Sequence, residues 1–140
     1  MSFFKRRSSI ALIQRIQGEE CVLVGLQGIS GAWELPTTSK QYDESFLNAG
    51  LRALRYQAGI VDVQFVRKLV SSHIHDTFFT RHYTFFIRVE RDDYSVDKNL
   101  SSAGRLFKWT PVKEAVSDNL SKSTHRALMY WLEVIKRKDC

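Results

Sequence analysis

Residues 33–60, WELPTTSKQYDESFLNAGLRALRYQAGI, decide how this chain is read. Asp43, Glu44 and Ser45 bring cap-type and acidic side chains to a helix start. Phe46, Leu47, Leu51, Leu54 and Ala58 then recur at helical spacing as one apolar stripe, and Gly59 ends the run. The segment before it, Thr37 to Tyr42, predicts a brief strand or extended arm, with Trp33 re-entering the core ahead of Pro36. Positions 53, 56 and 57 stand one helical turn apart, so their side chains project together. They are Ala53, Tyr56 and Gln57.

Working outward, Ser8 to Ile16 alternates apolar and polar residues as a strand, and Gln17-Gly18-Glu19-Glu20 supplies turn chemistry. Cys21 to Leu26 is a continuous apolar run of the kind buried on both faces of a sheet. After the helix, Val61 to Val70 and Phe78 to Val89 are β-rich, while Arg91 to Asp93 and Lys98 to Gly104 read as turn or loop. Arg105 to Trp109 is a last short strand. Pro111 suits the first position of a helix over Val112 to Ser117, and Ser121 to Lys138 forms an amphipathic helix through Ala127, Leu128, Trp131, Leu132 and Ile135. Strands on either side of one central helix, with a helix to close, predict an α/β/α sandwich on a mixed sheet, a single domain over residues 1–140.

A composition 44% hydrophobic and 26% charged fits one soluble globular core. The formal net charge of +6 favours anionic partners, nucleotide or RNA, or serves only as a solubilising surface, and charge alone does not choose among these. Lys5-Arg6-Arg7 and Lys136-Arg137-Lys138 gather that charge near the ends and read as solvated flanks, since no RNA-binding signature accompanies them. Cys21 and Cys140 lack metal-ligand spacing and argue against a disulfide framework. Gln14 and Arg15 interrupt the apolar start, and no stretch is long enough to span a bilayer. The expected setting is cytoplasmic, without membrane contact. His73 and His75 share one face of a strand and read as surface or hydrogen-bonded histidines, for want of a spaced third ligand. Phe79 to Tyr83 places His82 and Tyr83 where they would line a pocket, with aromatics able to stack a base.

The order Trp33, Pro36, Thr38, Glu44, Arg52, Leu54, Gly59, Ile60 resembles the Nudix box, with Thr38 at the glycine position. That resemblance implies the Nudix fold across essentially the whole chain, a nucleotide-derivative ligand, and metal held by carboxylates on the helix. Those carboxylates fall at Ala53, Tyr56 and Gln57. A methyl, a phenol whose ordinary pKa is near 10 and a neutral amide replace them, so Glu44 and Gln57 are left as the candidate metal residues, with Mg²⁺ required only if the chain is active. In Nudix boxes the arginine at position 52 orients neighbouring carboxylates.

A narrower set of stretches is similar to the GDP-mannose mannosyl hydrolase branch: Asp43-Glu44-Ser45, Phe79-Thr80-Arg81-His82-Tyr83 and Ser117-Asp118-Asn119-Leu120. In that branch the box glutamate falls at Gln57, the base histidine at Ser121 and a phosphate-facing arginine at Gln27. His125 lies one turn beyond Ser121 as the replacement base, and Asp92 is a further candidate. The resulting expectation is a degenerate Nudix domain that binds a nucleoside diphosphate derivative or RNA end through Trp33, Arg52, Arg81, His82 and Tyr83. The alternatives are an Mg²⁺-dependent nucleotide-sugar hydrolase using Glu44 and His125, and an interaction scaffold, with a homodimer as one form.

Overall fold

The computed structural model describes residues 5–60, 67–77, 79–89 and 106–135. Seven strands form one sheet: β1 (Lys5–Ile16), β2 (Glu19–Leu26), β3 (Trp33–Glu34), β4 (Thr37–Ser39), β5 (Arg67–Thr77), β6 (Thr80–Val89) and β7 (Phe107–Pro111). The main order is β3-β2-β1-β6-β5, with β4 on β1 and β7 on β2. β1 and β6 run parallel and the other pairs antiparallel, so the sheet is mixed, as predicted. Among the described residues the sheet is joined by α1 (Phe46–Ala58), the short α2 (Val112–Ala115), α3 (Lys122–Tyr130) and a π-helical turn, Trp131–Ile135, that continues α3.

Alternation along β1 builds two cores. Ile10 and Leu12 join Leu23, Leu54 and Ile87 beneath α1, whereas Ala11 and Ile13 join Val22, Phe86, Leu128 and Trp131 beneath α3. Consecutive residues of one strand point to opposite faces, so α1 and α3 cover opposite sides and the α/β/α sandwich holds. Ser45 caps α1 by accepting from the Asn48 amide at 3.1 Å, and Gly59 closes it with φ 74°, its N–H on the Arg55 carbonyl. Gln17 and Gly18, both at positive φ, make the two-residue turn from β1 to β2.

Several expectations move. Lys5 and Arg6 are solvated, as expected, but Lys5-Arg6-Arg7 is part of the sheet and not a flank: it opens β1 and pairs with Thr80, Arg81 and His82 of β6. β5 runs on through Ser71 to Thr77, past the predicted end at Val70, held by its ladder with β6. The strand at Thr37 stops at Ser39, and α2 stops at Ala115 rather than Ser117. Lys136 to Lys138, Asp92, the loops predicted at 91–93 and 98–104 and the first half of the Val61 strand lie outside the described residues.

Candidate functional site

The side of α1 that turns toward β4 carries the residues singled out in the sequence. Ala53 is buried and Tyr56 is 63% exposed, its ring facing the Arg55 guanidinium at 4.9 Å. The Gln57 amide donates to the Thr37 carbonyl at 2.7 Å. Glu44 accepts a two-pronged ion pair from Arg52, at 2.7 Å from Nη2 and 3.2 Å from Nε, and also takes the Gln41 amide at 2.8 Å. A second bond from Arg52 Nη2, at 2.9 Å, reaches the Ser39 carbonyl. Arg52 holds the Glu44 carboxyl below its ordinary pKa, with the Gln41 amide adding to the effect.

These donors do not fit a hard dication. Position 53 has no ligating atom, the ring at 56 lies out on the surface, and the amide at 57 turns an N–H toward the neighbouring carbonyl. The remaining carboxylate is neutralised by an arginine. Mg²⁺ needs several oxygens at close octahedral range, and among the described residues no three His, Cys, Asp or Glu side chains gather to hold an ion. The arrangement is instead a clasp, in which Arg52 and Gln57 fasten α1 to the 37–44 segment.

Register brings a different group of polar residues together. Across β4, β1, β6 and β5 one row reads Ser39, Arg7, His82, His75; the next reads Thr37, Ser9, Thr84, His73. All eight share the α3 face, since Ala11 and Phe86 in the following row belong to the core beneath α3. Ser9 donates to Thr37 Oγ1 at 2.8 Å and Arg7 to Ser39 Oγ at 3.3 Å. Ser9, Thr84 and His75 are buried. This sheet face, polar and enclosed at one end and apolar at the other, is the floor of the α3 side.

His75 stacks on His82 at 4.8 Å and 10°, and lies 5.4 Å from His73, which stacks on Tyr130 of α3 at 4.4 Å. His82 Nε2 is 3.2 Å from Thr77 Oγ1. Both His75 ring nitrogens and His73 Nδ1 are buried and have no hydrogen-bond partner among the described residues. The expectation of surface or hydrogen-bonded histidines is therefore corrected: β5 pairs them against β6, under α3, where they join an aromatic ladder. Burial first, then the neighbouring imidazoles and Arg126, lower the His75 pKa to about 4. Burial and Arg126 lower that of His73, and burial and Arg7 that of His82.

The expected substrate residues separate between the two faces. His82 stands on the floor, whereas Arg81 and Tyr83 point to the α1 side. There Arg81 forks onto Asp76 at 2.9 and 3.1 Å, and Tyr83 stacks on Phe46 at 3.7 Å. Trp33 is tied to the loop before α3, donating to the Asn119 carbonyl and accepting from the Ser121 amide, with Lys108 Nζ 4.2 Å above its ring. His125 is exposed on α3, in the layer opposite Glu44 and Gln57. Gln27 accepts from Ser30 at 2.6 Å within its own loop. Sequence reading missed Arg7, Ser9, Thr84, Tyr130, His73 and the buried His75 as a group. The signal was available in the hairpin: with Thr77 opposite Thr80, His75 must fall opposite His82.

Among the described residues no helix is long and apolar enough to cross a membrane. No curated protein sequence matches this chain significantly. Solved structures do. A Nudix hydrolase from M. smegmatis, RenU, superposes with a TM-score of 0.73 at 14% identity, covering 98% of this chain and 89% of that one. An Ap4A hydrolase from C. elegans gives 0.71 at 11%, covering 95% and 98%. The NUDIX domain of Shewanella oneidensis NrtR, complexed with ADP-ribose, gives 0.69 at 15%, covering 94% and 88%. At such identities these likenesses speak for the fold, and the family follows from the sequence itself: the NUDIX domain profile matches residues 4–132, so this chain belongs to the Nudix family.

Proposed function

We propose that this Nudix domain binds a nucleoside diphosphate derivative on the polar floor of its sheet, by direct contacts, and does not carry out metal-dependent pyrophosphohydrolysis. The observation that carries the reading is the Gln57 amide bonded to the Thr37 carbonyl at 2.7 Å. A carboxylate there would repel that carbonyl; an amide closes the gap and leaves no charge for a cation to meet. Glu44 does not restore the charge, because Arg52 neutralises it. Binding without turnover needs shape, hydroxyls and a cation, and Ser9, Thr37, Thr84 and Arg7 supply these side by side. The ADP-ribose complex of the NrtR domain supports the ligand class.

The test is isothermal titration of the full chain with ADP-ribose, GDP-mannose, Ap4A and a capped RNA fragment, each in EDTA and again in Mg²⁺, alongside an assay for released product. Binding of at least one nucleotide derivative that ignores EDTA, with no turnover, is expected. Turnover that appears with Mg²⁺ and disappears in Glu44→Gln would reinstate the hydrolase; failure of every ligand to bind would remove the nucleotide reading altogether.

A further inference from the structure

We propose that His73, His75 and His82, with Arg7 beside one end of their stack and Arg126 beside the other, form a phosphate site that takes up protons as the anion binds. This rests on the reading that the floor receives a diphosphate, and it says how the charge is met without a metal ion.

Three observations converge on it. His75 is 9% exposed, yet neither ring nitrogen has a hydrogen-bond partner. Burying such groups unpaired costs about 1–3 kcal/mol each, so they mark a place where a ligand's polar atoms belong. Next, the charges around the rings are mostly positive. Arg7 acts on His82, Arg126 acts on His73 and His75, and among the described residues the acidic group acting on the cluster is Asp76, whose carboxylate is already held by Arg81. Tyr130 stacks on His73 and Thr77 meets His82. Finally, the rings stack face to face, His75 on His82 at 10°. Stacked planes do not converge their nitrogen lone pairs as a coordinated cation needs, whereas their edges suit the oxygens of an anion.

The chemistry then follows from donor counts. A neutral imidazole offers one N–H and one acceptor; an imidazolium offers two donors, and a phosphate oxygen only accepts. With the site empty, burial first and then the two arginines lower the ring pKa values and favour the neutral forms. An arriving phosphate offsets both arginines and makes each added proton favourable, so anion and proton bind together. His82, the half-buried outer ring, must swing away from His75 to admit the anion.

The experiment is titration of the full chain with inorganic pyrophosphate in EDTA, at about pH 6 and about pH 7.5, in buffers of different ionisation enthalpy. Tighter binding at the lower pH is expected, by up to about tenfold per pH unit for each proton taken up, with heats that differ between buffers in the sense of proton uptake. His75→Gln with His82→Gln should reduce the pH dependence to what His73 alone supplies. Arg126→Gln, at an exposed position, should weaken binding at both pH values while leaving the fold in place, which keeps the test decisive if the histidine variant fails to fold. No binding of pyrophosphate, equal affinity and equal heats at both pH values, or unaltered binding in Arg126→Gln would overturn the proposal. Nucleotide binding that is independent of pH would sink this site and leave the metal-free floor standing. Proton-coupled pyrophosphate binding without any nucleotide affinity would do the reverse.

Discussion

Arg52 and Gln57 each solve a local problem left where the carboxylates are missing. Arg52 reaches both Glu44 oxygens and the Ser39 carbonyl from one planar group. A lysine keeps the charge and loses the fork, so Arg52→Lys is expected to lower stability by about 1 kcal/mol, a drop of roughly 2–5 °C in melting temperature for a domain of this size. Thermal unfolding by circular dichroism would show it, and an unchanged melt would mean the clasp holds nothing. Gln57→Glu is the sharper case, because it sets a carboxylate against the Thr37 carbonyl and removes a donor. It should cost about 1–3 kcal/mol at neutral pH, and Mg²⁺ should not restore the loss; full recovery of the melt on adding Mg²⁺ would show that one carboxylate suffices to capture the ion. The pairing of Arg52 with a carboxylate was legible, since the family pattern assigns that arginine such a role. The acceptor for Gln57 was not, because it depends on where a backbone carbonyl on another element comes to lie.

At the scale of elements, α1 meets the sheet through a glycine. A Cβ on Gly50 would stand 2.8 Å from Ile10 Cδ1 and 3.0 Å from Ser8 Oγ, and that hydroxyl donates to the Phe46 carbonyl in the helix's first turn. Gly50→Ala gains up to ~1 kcal/mol in helix propensity but must push an isoleucine end and a hydrogen-bonded hydroxyl aside, at about 1–3 kcal/mol. A net loss of about 1 kcal/mol is expected in urea unfolding; a more stable variant would show that α1 rides further from β1 than this packing implies. The helix itself was plain in the sequence, because Phe46, Leu51 and Leu54 repeat at its period and Gly59 stops it. β5 was harder. Ser71 to Asp76 has mostly polar side chains, so hydrophobic alternation gave no reason to extend the strand past Val70, and only the ladder with β6 does so. The same omission separated His75 from His82 and hid the floor. Short motifs likewise carry no side-chain direction: Arg81, His82 and Tyr83 are neighbours in the chain, but a strand divides them between two faces.

For the whole molecule, the polar floor sets how stability responds to acid. His75 has its pKa lowered from an ordinary 6.5 to about 4, chiefly by burial. Between those values the unfolded chain binds a proton at this position that the folded chain refuses, so stability rises with pH across the window. The contribution is fully present above pH 6.5 and is lost as pH falls toward 4, by roughly 3 kcal/mol for this one ring; His73 and His82 act in the same direction. Glu44 behaves alike in sign but later, because its carboxyl is held below 4.5 by Arg52 and weakens the fold only as pH falls through that lower range. Urea unfolding at several pH values between 7.5 and 4.5 should therefore show a decline that begins near 6.5, before any carboxylate titrates. His75→Phe keeps a flat ring against His82 and His73 and removes both unpaired nitrogens, so its stability should fall less steeply over that window and exceed the unaltered protein's at about pH 5. A slope identical in the two proteins would place the acid sensitivity elsewhere and show that His75 is neither buried nor neutral in solution.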